Sequence, residues 1–98
     1  MTTLTTKEIN LRLKAIPDWS KRTKTVFRIF KFEDFPHSLD FVNHVAKKAQ
    51  KLNHHPDIDI RYDQVKLMLT THDAGGITKN DFILAEQCNE VFAKFVEA

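Results

Sequence analysis

Ile58-Asp59-Ile60-Arg61-Tyr62-Asp63-Gln64-Val65-Lys66-Leu67-Met68-Leu69-Thr70-Thr71 is the stretch that decides the fold. Apolar and polar residues alternate on both sides of Asp63-Gln64, the two-residue period of half-buried strands. Two arms of similar length read as a β-hairpin turning at Asp63-Gln64, although that pair lacks the Asn-Gly chemistry favoured in hairpin turns. A hairpin returns the chain to its starting point. It therefore carries His72, just past the second arm, back beside His54 and His55 in Asn53-His54-His55-Pro56, just before the first. Histidines from separate stretches become one cluster, and imidazole is the side chain suited to proton transfer near neutral pH.

Outside the hairpin, the pattern alternates between helix and strand. Thr5-Thr6-Lys7-Glu8 has the spacing of a capping box, with Leu4 and Ile9 as its hydrophobic staple. Ile9, Leu13 and Ile16 follow at helical spacing until Pro17. Trp19–Thr23 and Val26–Phe32 read as strands joined near Lys24. In the second, Val26, Phe30 and Phe32 point one way and Phe27 and Ile29 the other, so helices cover one face and a second subunit is a candidate for the other. Asp34 caps a long helix with Pro36 in its first turn. Its expected buried stripe is Leu39, Val42, Val45, Ala46, Ala49 and Leu52. Beyond the hairpin, Gly75-Gly76 loosens the chain before Thr78-x-x-Asp81, a second capping box with Ile77 and Phe82 as staple. Leu84, Ala85, Cys88, Val91, Phe92 and Phe95 form the core side of the last helix.

The order is helix, two strands, helix, two strands, helix (α-β-β-α-β-β-α). Hairpin-length links favour a four-stranded antiparallel sheet with three helices on one face, an α+β two-layer domain. The chain has 98 residues, enough for one domain and too few for two. A domain this size buries roughly 65% of the surface of its unfolded chain, so self-association is a natural way to enlarge the core. Eight phenylalanines against two glycines point to a packed globule rather than disorder.

A net charge of +2 does not argue for nucleic acid. Lys21, Arg22, Lys24, Arg28 and Lys31 read as a solvated face, without the clustered stripe that phosphate binding needs. One cysteine, Cys88, excludes an internal disulfide and reads as a buried structural thiol. No signal peptide and no membrane-length run is legible, so cytoplasm is the expected compartment and no membrane partner is expected.

His54 and His55, adjacent in an extended segment, point to opposite sides, so one can do chemistry while the other positions. His72 has the parity of Met68 and Thr70, opposite to Val65, Leu67 and Leu69. The bland alternative is three ordinary surface histidines. A three-histidine zinc site is the chemical rival, but no cysteine lies near and HxH and HExxH spacings are missing. His37 and His44 read as incidental surface residues, and Asp81 as a cap rather than a catalyst. No nucleophile elbow, Walker loop or dinucleotide fingerprint is present.

Gln50-Lys51-Leu52-Asn53-His54-His55-Pro56, Tyr62, Thr70-Thr71-His72-Asp73 and Asp81 together resemble the signature of the pterin-4a-carbinolamine dehydratases, also called dimerization cofactors of a homeodomain transcription factor. The resemblance extends to Pro17-Asp18-Trp19 and Asp34-Phe35, nearly the whole chain. It implies this same α+β fold, sheets paired edge to edge as a homodimer, and in some members a tetramer joined through helices. It implies loss of water from a 4a-hydroxytetrahydropterin to give quinonoid dihydropterin, with no metal and no organic cofactor. By resemblance His54 and His72 are the acid–base residues, in either order, and His55 holds the pterin and assists. Asn53, Thr70, Thr71 and Asp73 line the pocket with the three histidines, and Trp19 borders it.

Gln50 and Asn53 stand where many members carry acidic residues, and Ala74 where some animal members have Cys. Lost carboxylates remove charge that orients or protonates histidines. These departures motivate an alternative reading, a dimeric binding or regulatory module with a protein partner. A histidine-ligated zinc hydrolase is a third.

Overall fold

The computed structural model describes residues 2–96. Its elements are α1 (Thr6–Leu13), β1 (Ser20–Arg22), β2 (Thr25–Lys31), α2 (Phe35–Leu52), β3 (Asp57–Arg61), β4 (Gln64–Leu69), a 3-10 turn (His72–Ala74) and α3 (Lys79–Val96). This is the α-β-β-α-β-β-α order the patterning predicts. The strands form one antiparallel sheet in the order β1-β2-β4-β3. Val26, Phe30, Val65, Leu67 and Leu69 are completely buried on the face covered by helices. On the opposite face Ile29 is exposed. No helix among the described residues is long and apolar enough to cross a membrane.

The hairpin forms with its turn one residue earlier than expected. Arg61 pairs with Gln64, so Tyr62-Asp63 is the loop. Tyr62 leaves the strand, takes a left-handed φ of 54° and puts its ring in solvent. Both turn positions would place the apolar residues on the same face, so alternation alone cannot separate them. In the register formed, the Asp63 carbonyl accepts the Phe32 N–H at 2.8 Å, extending the junction with β2.

Three further expectations need correction. On α2 the buried residues are Ser38, Phe41, Val45 and Ala49, whereas Leu39 and Ala46 are exposed. Phe41 sets the stripe: its ring lies 4.7 Å from that of Phe30 and 5.0 Å from that of Phe32. Arg28 is not part of a solvated basic face. Its position between Val26 and Phe30 turns it under the sheet, where its guanidinium lies 4.4 Å from the Phe30 ring and donates to Asn89 Oδ1. Burial there lowers the Arg28 pKa. Trp19 precedes β1 rather than opening it; it is buried edge-on to Phe30, and its Nε1–H donates to Asn89 Oδ1 at 2.7 Å.

The first capping box is present as read, Thr5 Oγ1 accepting from the Glu8 N–H and Glu8 Oε1 from the Thr5 N–H. Upstream of it, the Leu4 N–H donates to the Ile77 carbonyl at 2.9 Å. The methyl of Thr3 lies so close to Gly76 that a β-carbon there would approach it to 3.2 Å. Cys88 is completely buried, and desolvation pushes its pKa up to about 12.

Candidate active site

The site lies where α2 ends, β4 ends and α3 begins. Asn53 terminates α2 in the left-handed conformation (φ 50°, ψ 42°). Its N–H donates to the Gln50 carbonyl and the next, that of His54, to the Ala49 carbonyl, which is the paired pattern of a Schellman turn. Asparagine is the residue best suited after glycine to that backbone position. The turn swings His54 inward, where it is buried, while His55 stays exposed. Gln50, one turn back on α2, accepts the His55 Nε2–H at 3.0 Å.

At the end of β4, Thr71 bridges to Gly76 across the 3-10 turn. Gly75 closes that turn with φ 77°, a conformation glycine adopts without steric cost. His72 and Asp73 stand exposed on it. The turn therefore places His72 on the same hollow as the Asn53–His55 segment.

The first turn of α3 supplies the group that organises the site. Asp81 is completely buried. Its Oδ1 lies 2.6 Å from His54 Nε2, and its Oδ2 accepts the Thr78 N–H at 2.8 Å and the Thr71 hydroxyl at 2.9 Å. Only half of the second capping box forms, because the Thr78 hydroxyl engages Thr71 Oγ1 at 2.7 Å instead of the Asp81 N–H. Asp81 is thus the expected cap and also the partner of a buried histidine. Its spacing revealed the first role. The second joins residues 27 positions apart, and no local pattern announces it.

His54 Nδ1 has no partner among the described residues. No buried side-chain nitrogen or oxygen among them is left unpartnered, so Nδ1 reaches solvent. His54 lines a shallow cavity of about 200 Å³ together with Asn53, His55, Thr70, Thr71, His72 and Asp73. The three histidines from two distant stretches therefore share one hollow. Trp19 does not line it. Larger hollows of about 430 and 540 Å³, beside Phe95 and along α1, gather one histidine and none. His37 and His44 lie on α2's surface, bonded to the Asp34 carboxylate and the Asp40 carbonyl. The Asp34 bond raises the pKa of His37. Among the described residues no group of three or more His, Cys, Asp or Glu side chains is arranged to hold a metal ion.

Such a cavity offers three imidazoles, a polar rim and no deep apolar slot. It can give and take protons at a small polar molecule.

The family model described as pterin 4 alpha carbinolamine dehydratase matches residues 2–91. A protein of Chloroflexus aurantiacus, named provisionally as a pterin-4-alpha-carbinolamine dehydratase, is 48% identical over 91 residues, 93% of this chain and 98% of its own. One of Acidobacterium capsulatum with the same provisional name is 51% identical over 85 residues, 87% of this chain and 92% of its own. The crystal structure of a transcriptional coactivator/pterin dehydratase from Brucella melitensis superposes with a TM-score of 0.88 at 35% identity, covering 92% of this chain and 98% of its own. A pterin dehydratase-like protein identified as a RuBisCO assembly factor in the alpha-carboxysome shares the fold, with a TM-score of 0.66 at 18% identity over 76% of this chain and 89% of its own. With the match running through nearly every element described above, the chain belongs to the pterin 4 alpha carbinolamine dehydratase family.

Proposed function

We propose that this cavity removes water from a 4a-hydroxytetrahydropterin to give quinonoid dihydropterin. The observation that carries the reading is the opening of His54, held from behind by Asp81, onto the same hollow as His72. The C4a–O bond breaks as an acid delivers a proton to the hydroxyl, which leaves as water. The N5–H bond gives its proton to a base and its electron pair to the forming N5=C4a bond. One proton is given and one taken, so the enzyme returns to its starting charge after exchange with solvent. His54 and His72 are the acid–base pair. His55, steadied by Gln50, holds the substrate, and Asn53, Thr70 and Asp73 supply polar contacts to the pterin edge. No metal or organic cofactor takes part in these steps.

Each acid or base contributes about 10²–10⁴-fold. The double variant His54→Ala/His72→Ala is therefore expected to lose turnover of a 4a-hydroxytetrahydropterin while keeping the wild-type circular dichroism spectrum. Unchanged turnover would reject the mechanism. Wild-type protein that neither binds a pterin nor speeds dehydration, but captures a defined protein partner, would establish the regulatory-module reading instead.

The same reading places the protein in the cytoplasm as a homodimer or homotetramer. The exposed Phe35, Leu39 and Ile29 support self-association, since each leaves apolar surface in water. Sedimentation velocity is expected to give a species of two or four chains. A monomer throughout the micromolar range would overturn it.

A further inference from the structure

Thr71 lines the cavity, yet almost nothing of it is free to meet a ligand. Its hydroxyl donates to Asp81 Oδ2. Its N–H donates to the Gly76 carbonyl, and its own carbonyl takes the N–H groups of Ala74, Gly75 and Gly76. A hydroxyl has one proton. With Thr71's committed to Asp81, the 2.7 Å contact between the two threonine hydroxyls must be donated by Thr78, which is completely buried. The hydrogen bonds thus run in one direction, from Thr78 to Thr71 to Asp81 Oδ2.

This direction fixes the roles around the carboxylate. Oδ2 is filled by the Thr71 hydroxyl and the Thr78 N–H, which leaves Oδ1 facing His54 Nε2. A carboxylate accepting on both oxygens requires its imidazole partner to be the donor. His54 then carries its proton on Nε2 when neutral and presents a bare Nδ1 to the cavity.

We infer that Thr71 and Thr78 are positioning residues that act through Asp81 to fix the tautomer of His54, making Nδ1 the nitrogen that meets the substrate. The inference concerning catalysis rests on the dehydratase reading, whereas the tautomer does not. Thr71 is accordingly a support for the histidine rather than a reader of the pterin edge. Without its hydroxyl, Oδ2 loses a donor and the Thr78 hydroxyl its acceptor, and both Asp81 and Thr78 are completely buried. Asp81 is then free to rotate, and His54 to exchange Nε2–H for Nδ1–H.

The test is the ¹⁵N spectrum of the His54 ring in the intact protein, followed to a pH at which the ring shifts no longer change. Wild type is expected to show a pyrrole-type Nε2 and a pyridine-type Nδ1. Thr71→Val is expected to show averaged shifts and a kcat lowered about tenfold, the scale of one lost hydrogen bond, with KM little changed. Thr71→Ser, which keeps the hydroxyl, restores both. Nδ1–H as the dominant wild-type tautomer overturns the inference without any variant. So do wild-type ring shifts in both Thr71→Val and Thr78→Val. The expected shifts in a protein that dehydrates no pterin would sink the proposed function and leave the tautomer assignment standing.

Discussion

The buried carboxylate and the buried thiol of α3 show how differently two residues of one helix are read. Cys88 was legible: a lone cysteine on an apolar helical stripe is a core residue, and it is one. Asp81 was legible only as a cap, because what it does to His54 depends on a contact across the fold. Arg28 departs from its expected place for a related reason. Its charge suggested solvent, while its parity with Val26 and Phe30 put it under the sheet. The thiol also makes a pH prediction. Its ordinary pKa of 9.0 is raised to about 12 in the folded chain. Between those values the unfolded chain releases the proton first, so this group's contribution is complete below pH 9.0 and lost as pH rises toward about 12. Urea unfolding of wild type and Cys88→Ala should differ by about 1 kcal/mol at neutral pH. That difference is expected to shrink or reverse in alkali, and a gap constant across this window would refute the assignment.

Elements were read from pattern well where the pattern is local. The α1 capping box, the Asp34 cap of the long helix and the alternation of the hairpin arms all depend on residues within a few positions of one another. Exact turn placement was not legible, since Tyr62-Asp63 and Asp63-Gln64 bury the same side chains. The buried stripe of α2 was offset because the position of Phe41 over Phe30 is a tertiary choice. Asn53 was read for its chemistry, by resemblance, yet its backbone is what aims the histidine. At φ 50° a β-branched side chain is strained by roughly 1–2 kcal/mol. Asn53→Val should therefore lower stability by about that amount in denaturant titrations and reduce turnover as His54 loses its approach. Asn53→Gly keeps the turn and is expected to stay within about 0.5 kcal/mol of wild type. Equal stability of the two variants would show that the left-handed turn is not what matters there.

At the scale of the whole molecule, the convergence of His54, His55 and His72 is foreseeable because a hairpin with arms of similar length brings its ends together. What lies behind them is not, because α3's place beside that end is decided by packing. The contacts of Thr3 and Leu4 with Gly76 and Ile77 have a bearing on this assembly. Those two residues clasp the short link between the turn bearing His72 and the helix bearing Asp81. Local opening of that link is opposed by a strap from the far end of the polypeptide, about 70 positions away in sequence, and the loss of such straps is felt as local unfolding rather than global. Deleting residues 1–4 is expected to speed amide deuterium exchange at residues 75–78 while leaving the centre of the sheet as slow as before. Uniform exchange rates in the two proteins would mean that the strap holds nothing in place.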